Sequence, residues 1–266
     1  MKTPEIPIAF ITKDRTRVAC YTLDSVLKNI VTSQKIRLII SDDQSESENH
    51  IKYLSNVSKI NEIDPIVVKT TKDCHGLGAS MNNALHEAWK YSDKCLTIED
   101  DWYLQKKLYL DNCINTMDTD DTIVGIRLGI IESLNHVLPY NRYFYKIVSQ
   151  PGLDYTFIYN FQIMLRSKRI YDKLGYYTHN SPDEDEKSFA LKQCALSDRG
   201  RNENIKTLYP TSMPRNTIDD PGLYFIHMGK SIVNHTVYIP ERFNWIYEEM
   251  TEKSPDYNLY KTIVDM

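Results

Sequence analysis

The first hundred residues alternate between two apolar rhythms. Ile6–Thr12 is a short apolar run, and Ile36–Ser41, Ile66–Thr71 and Cys95–Glu99 are three more. Between the first two, Leu23, Val26, Leu27, Ile30 and Val31 recur at helical spacing. Ile51, Leu54 and Val57 predict a second helix, and Met81, Ala84, Leu85, Ala88 and Trp89 a third. Ser45 with Glu48 has capping-box spacing and is expected to start the second helix. Strands that alternate with helices pair in parallel, so the pattern predicts an α/β fold with a central, mostly parallel sheet flanked by helices.

After Trp102 the rhythm changes. Leu104–Met117 reads as a helix and Thr122–Gly129 as a strand. An irregular stretch rich in Tyr, Asn and Pro runs to about Asp154. Phe157–Leu165 reads as extended and Ser167–Leu174 as a short helix. Asn180–Lys187 is an acidic loop leading into a helix with Phe189 and Leu191, and Leu223–Ile226 is an apolar run ending at His227. No repeat or linker interrupts the chain, so a single domain is expected.

Composition narrows the classes. Lys and Arg total 32 against 36 Asp and Glu, a net charge of −4, which argues against a broadly basic nucleic-acid binder and leaves room for a local basic groove. With 9 Gly and 11 Pro among 266 residues, collagen-like and low-complexity chains are excluded. The longest apolar run, Ile6–Ile11, is far short of the ~20 residues of a membrane span. The first ten residues carry Pro4, Glu5 and Pro7 and have no signal-peptide core, so a cytoplasmic protein without a transmembrane segment is expected. Cys20, Cys74, Cys95, Cys113 and Cys194 are odd in number and scattered, which disfavours a zinc cluster or a disulfide scaffold.

In open α/β sheets, ligands bind beyond the carboxyl ends of the strands. The residues there are Thr12–Arg15, Asp42–Asp43, Thr71–Lys72 and Glu99–Asp101. Three consecutive acids, Glu99, Asp100 and Asp101, repel one another unless a cation neutralises them. Oxygen ligands suit Mg2+ or Mn2+, metals often shared with substrate phosphates. A solvated acidic turn is the plainer reading of the same residues. Asp42 or Asp43 could accept hydrogen bonds from a base or a ribose, or simply belong to a helix cap. His75–Asn82 places Gly76 and Gly78 before a helix, where phosphate is favoured. It is half of a dinucleotide fingerprint, with Met81 in place of the third glycine and Glu99 about 20 residues on. A nicotinamide-dependent oxidoreductase is therefore a second reading, and a non-catalytic α/β binding module a third.

These elements in this order resemble the GT-A glycosyltransferases, especially the family 2-like, nucleotide-sugar-dependent ones. Ile98-Glu-Asp-Asp-Trp102 is similar to the fold's DxD motif with Glu in first position. Phe10–Arg15 and Ser41–Ser45 are similar to its nucleoside-binding segments, and Gly76–Asn82 to its helix start. Phe161–Gly175 followed by Asp183–Glu186 resembles the acceptor-side segment, which ends in an "ED" motif, and Phe225–Gly229 resembles the segment with a C-terminal metal-binding histidine. The resemblance implies one GT-A domain over 1–266, with a nucleotide-sugar-binding half at 1–103 and an acceptor-binding half at 104–266. It implies Mn2+ or Mg2+ held by Asp101, with Glu99 nearby and His227 as a further ligand. Thr12, Arg15, Asp42, Asp43, Gly78, Asn82 and Asp100 would bind the nucleotide sugar, with uridine the expected nucleoside. Asp185, with Glu184 and Asp183 as competitors, would take the acceptor's proton in an inverting displacement. The run keeps no EDxD-L-x-x-R form, because Lys187, Ser188 and Phe189 follow Glu186.

The acceptor is less legible. Trp102, Tyr140, Tyr143, Tyr145, Tyr155 and Tyr159 could stack on rings, and Arg166, Lys168, Arg169, Lys173, Arg199 and Arg201 could meet phosphates. Usage rich in Ile, Lys, Asn and Tyr fits an AT-rich bacterial or phage genome. A glycan and a hydroxymethylated DNA base both remain as acceptors.

Overall fold

The computed structural model describes residues 3–129, 137–148, 163–178, 188–189, 191–192, 205–213, 222–228, 254 and 257–266. The first half runs β1 (Glu5–Thr12), α1 (Thr16–Asn29), β2 (Ile30–Val31), β3 (Lys35–Asp42), α2 (Asn49–Ile60), β4 (Ile66–Lys69), α3 (Leu77–Ala88) and β5 (Lys94–Glu99). There follow β6 (Trp102–Leu104), β7 (Leu108–Tyr109), α4 (Leu110–Asp118), β8 (Ile123–Arg127), β9 (Val137–Pro139) and β10 (Phe144–Ile147). The described remainder is β11 (Met164–Ser167), α5 (Lys168–Leu174), β12 (Lys206–Pro210), β13 (Phe225–His227) and α6 (Tyr257–Asp265).

Nine strands form one sheet in the order β4-β3-β1-β5-β11-β8-β12-β10-β9. The α/β expectation holds. Strands β4, β3, β1 and β5 are all parallel. Beyond β5 only β8 and β12 pair in parallel, and the other pairings are antiparallel. The two-residue period of a strand sends alternate side chains to opposite faces. Ile6, Ile8 and Phe10 of β1 meet Leu23 and Val26 of α1 in one apolar cluster. Ala9 and Ile11 meet Met81 and Leu85 of α3 in the other. Burying each Leu, Ile or Phe this completely stabilises the fold by about 1.5–3 kcal/mol, so the ends of these strands are held by packing on both faces.

Register places those ends level: Thr12 stands opposite Asp42, and Ile11 opposite Glu99. At the other end of the chain α6 is fastened to α2 by Asn56 Nδ2, which donates to the Ile263 carbonyl at 2.8 Å. Ser167 caps α5 by accepting from the Arg169 N–H, and Gly175, at φ 76°, takes the chain out of that helix in a conformation that favours glycine. No helix among the described residues is long and apolar enough to cross a membrane.

Three local expectations are corrected. The helix expected from Ser45 begins at Asn49, because Ser45 is used differently: its Oγ accepts from the Asp14 N–H and its own N–H donates to Asp42. Leu104–Met117 is helical only from Leu110. Its first residues belong to β6 and β7, which pair with β13 and β2. The irregular stretch before Asp154 contains the antiparallel pair β9 and β10. The segment Asn180–Lys187 lies outside the described residues.

Candidate active site

The carboxyl edge of β1, β3 and β5 gathers most of the residues singled out in the sequence. Thr12 ends β1, Asp42 ends β3, and Glu99 ends β5 with Asp100 and Asp101 directly after it. His227 arrives from far along the chain. Strand β13 pairs antiparallel with β6, which sets His227 opposite Trp102, and the Met228 N–H donates to the Asp101 carbonyl at 2.7 Å. The two rings meet edge to face with centroids 4.9 Å apart. Trp102 Nε1 in turn donates to Glu99 Oε2 at 3.3 Å.

Arg15 is the resident cation of this cluster. Its guanidinium bridges the acidic pair, donating to Asp100 Oδ1 and, at 2.6 Å, to Asp101 Oδ2. The other oxygen of Asp100 accepts from Thr12 Oγ1 at 2.8 Å and from the Lys13 N–H at 3.1 Å. His227 Nε2 lies 3.3 Å from Asp101 Oδ2. The carboxylates are buried, whereas the Arg15 side chain is 42% exposed, which makes it the member free to turn outward.

The two carboxyl groups are driven apart. Burial pushes Asp100 up to about 6, and Arg15 only partly offsets it. Burial acts on Asp101 too, but His227 and Arg15 outweigh it and hold its carboxyl well below the usual range. Burial pushes His227 down, but Asp101 and Glu99 together outweigh it and raise the ring above its ordinary value.

Two buried polar atoms at this point have no hydrogen-bond partner: Asp101 Oδ1 and His227 Nδ1. A buried carboxylate oxygen without a partner is costly, and its chemistry is that of a hard-cation ligand. Among the described residues no three His, Cys, Asp or Glu side chains converge on one cation position. A closed protein cage is therefore absent from that part of the molecule. A carboxylate and an imidazole that leave other positions to substrate phosphates still suit Mg2+ or Mn2+. The residues present fit such an ion.

Other predicted residues are placed differently. Asp42 Oδ1 accepts from the Ser45 N–H at 3.0 Å, and its other oxygen is 3.4 Å from Lys69 Nζ. Asp43 Oδ1 accepts from Thr70 Oγ1 at 2.8 Å and from the Gly76 N–H at 2.7 Å. Gly76 is the N-cap of α3, at φ 96°. The first amide at that helix start thus already meets a carboxylate of the protein, which weakens the phosphate-cradle reading of Gly76–Asn82. Gly78 is buried in the first turn of α3. The Asn82 amide is clipped to the Tyr177 backbone, donating at 3.0 Å and accepting at 3.2 Å. Gly78 is thus packed within the helix, and Asn82 is held by a backbone clip. Glu184 and Asp185 lie outside the described residues.

One polar residue of the cluster was not legible as such. His50, fully buried in the first turn of α2, has both ring nitrogens 2.8 Å from threonine hydroxyls, Nε2 from Thr12 and Nδ1 from Thr16. Its signal in the sequence is spacing: His50, Leu54 and Val57 share one helical face, and a histidine at an apolar-face position needs polar partners. Away from this edge, a cavity of about 430 Å³ opens beside α4, lined by Tyr109, Asn112, Tyr143, Thr211 and Tyr224 among others, none of them charged.

No curated protein resembles the chain significantly in sequence. In structure it is similar to S. aureus TarS, with a TM-score of 0.54 at 15% identity over 77% of this chain and 36% of that one. TarS 1-349 in complex with UDP-GlcNAc gives a TM-score of 0.53 at 15% identity, covering 77% of this chain and 58% of that one. The mannosyltransferase PcManGT from Pyrobaculum calidifontis, in complex with GDP-Man and Mn2+, gives 0.52 at 12% identity, covering 78% and 57%. The chain thus spans between 36% and 58% of the length of these proteins, and at such identities the likeness establishes a common fold. Sequence goes further, since the model of "Glycosyl transferase family 2" matches residues 9–177, well over half of the chain. The acidic strand end, the parallel half that carries it and this match agree: the chain belongs to glycosyl transferase family 2.

Proposed function

We propose that the protein transfers a sugar from a nucleotide-diphosphate sugar, with UDP as the nucleotide, to a hydroxyl acceptor, with inversion at the anomeric carbon and with Mn2+ or Mg2+ bound. The observation that carries this is the buried Asp101 carboxylate, with one bare oxygen, brought against His227 at the carboxyl edge of the parallel strands. Asp101 and His227 would hold the metal, whose contribution when bound is to stabilise negative charge on the leaving diphosphate. Asp100, fixed by Thr12, Lys13 and Arg15, faces the same edge and suits a ribose or sugar hydroxyl. Arg15 neutralises the acidic pair in the free protein. Its exposed guanidinium can turn to the diphosphate when a donor binds, keeping a cation on each anion in turn. The Asx-type loop at Asp42 and the Lys69 beside it suit the nucleoside end of the donor.

The reacting hydroxyl needs a carboxylate to take its proton. That role is assigned to Asp185 or Glu184 on the family resemblance. The acceptor is a glycan or a hydroxymethylated DNA base, and the uncharged cavity beside α4 favours neither by itself.

The test is calorimetric titration of the purified protein with UDP, with and without Mn2+, beside NAD. Metal-dependent UDP binding supports the reading. Preferential NAD binding, or no UDP binding under either condition, overturns it. TarS and PcManGT have been solved with UDP-GlcNAc and GDP-Man respectively, so UDP-GlcNAc and GDP-Man are the first donors to assay for turnover.

A further inference from the structure

Building on the donor-binding reading, we propose that His50 is a positioning residue: it commits the Thr12 hydroxyl proton to Asp100 and so sets the orientation of the carboxylate that meets the nucleotide donor. Thr12 Oγ1 has one hydrogen, and its geometry gives that hydrogen to Asp100 Oδ2 at 2.8 Å. The same oxygen can then only accept from His50 Nε2, also at 2.8 Å. That places the ring proton on Nε2 and leaves Nδ1 with a lone pair. Thr16 Oγ1, at 2.8 Å from Nδ1, supplies the hydrogen for it.

The hydrogen bonds thus run one way, from Thr16 to His50, from His50 to Thr12 and from Thr12 to Asp100. The His50 ring is fully buried, and burial holds it below its ordinary pKa, in keeping with a neutral ring. The far end of the chain of bonds is also fixed. Lys13 N–H shares Asp100 Oδ2 with Thr12, Arg15 holds Oδ1, and Thr22 Oγ1 donates to the Asp100 carbonyl at 2.9 Å. If Arg15 leaves for a bound diphosphate, the Thr12 hydroxyl and the Lys13 amide alone keep the Asp100 side chain in place. By donating to Thr12 Oγ1, His50 closes off the alternative in which that hydroxyl points at the ring instead of at Asp100.

A histidine that merely packs α2 against β1 would affect stability and leave ligand affinity alone. The two roles separate in one set of measurements on the full chain. Nitrogen-15 shifts of the His50 ring report the tautomer directly, and the Nε2–H form is expected. In calorimetry with UDP and with GDP, each with Mn2+, His50→Leu is expected to weaken nucleotide binding about tenfold, the effect of one lost hydrogen-bond constraint. His50→Gln, whose amide N–H reaches the position of Nε2, restores affinity to within about threefold. Thr12→Val weakens binding as His50→Leu does, and the double variant is no worse than either single one, because both break the same chain. An Nδ1–H tautomer, unchanged affinity in folded His50→Leu, or additive losses would overturn the positioning role. Should His50→Leu fail to fold, the tautomer and the comparison of Thr12→Val with His50→Gln decide the matter. Wild-type protein that binds neither nucleotide overturns the donor reading itself, a different outcome from wild-type binding that His50→Leu leaves intact.

Discussion

Two carboxylates, half-buried Asp120 and buried Asp101, show how differently the two halves of the molecule use their charges. In the antiparallel half, Asp120 is saturated. One oxygen accepts from the Thr122 N–H and hydroxyl, and the other from Tyr140 Oη and Lys206 Nζ. Burial pushes its carboxyl up, but these partners together outweigh burial and hold it well below the usual range. At the edge of the parallel half, Asp101 shares one oxygen between Arg15 and His227 and leaves the other bare. Both are acids paired with a base, and only one is left wanting a further partner. Parallel strands explain where that can happen. Asp101 follows the carboxyl end of β5, where the level ends of parallel strands collect polar termini, whereas Asp120 stands before the amino end of β8, where Lys206, at the start of β12, ties it down.

The sharpest test of this contrast is Asp101→Asn. Transfer activity is expected to fall by at least about a hundredfold, a larger effect than the stability lost with its pairs to Arg15 and His227, as measured by product formation and denaturant titration. The matching change in the other half, Asp120→Asn, should invert the pattern, lowering stability and sparing activity. Comparable activity losses from both would remove the distinction.

Next in size is Arg15→Met. It leaves two adjacent buried carboxylates without their cation, and removal of one partner of a buried ion pair costs several kcal/mol. Because the Arg15 side chain is 42% exposed, a smaller loss of about 2 kcal/mol at neutral pH is expected. Denaturant titration reads it. Gly129→Ala probes the junction of the halves: a Cβ there would lie 2.8 Å from Trp102 Cζ3. Overpacking of this kind costs ~1–3 kcal/mol, and the thermal midpoint should fall accordingly. Asn82→Ala removes the clip between α3 and Tyr177 and should cost ~1 kcal/mol.

The smallest expected effect is on pH dependence. The folded pKa of His50 lies below its ordinary value of about 6.5 because burial outweighs the neighbouring Asp42 and Asp14. The folded protein therefore binds fewer protons there than the unfolded chain. The stability that the neutral ring contributes is complete above about pH 6.5 and is lost as pH falls through the lower folded value. The difference between wild type and His50→Gln in denaturant midpoint, measured from pH 7.5 down to pH 5, should shrink accordingly. A difference independent of pH would contradict it.

Much of the parallel half was legible because its strands are buried on both faces and its helices on one. The apolar runs at Ile6, Ile36 and Cys95 and the helical face at Met81 and Leu85 are local patterns. Strands β6 and β7 were not legible. They are three and two residues long, and their pairing with Phe225–His227 and Ile30–Val31 is set by distant partners. The acids of the site stood out because they are consecutive. His50 did not, because its partners Thr12 and Thr16 lie far from it along the chain. Ser45 misled for a related reason: capping-box spacing was present, but Asp14 and Asp42 claimed the residue first. The chain's membership of glycosyl transferase family 2 was read first as a resemblance in ordered motifs that run from Phe10 to Gly229, and the family model matches residues 9–177.

The placing of Trp102 has an optical consequence. The chain has 3 tryptophans, and this one is buried with its ring edge-to-face with His227 and its N–H on Glu99. Indole emission is quenched when an imidazolium is held against it. Any event that moves His227 or changes its charge is therefore converted into a change in the brightness of the protein, with no label attached.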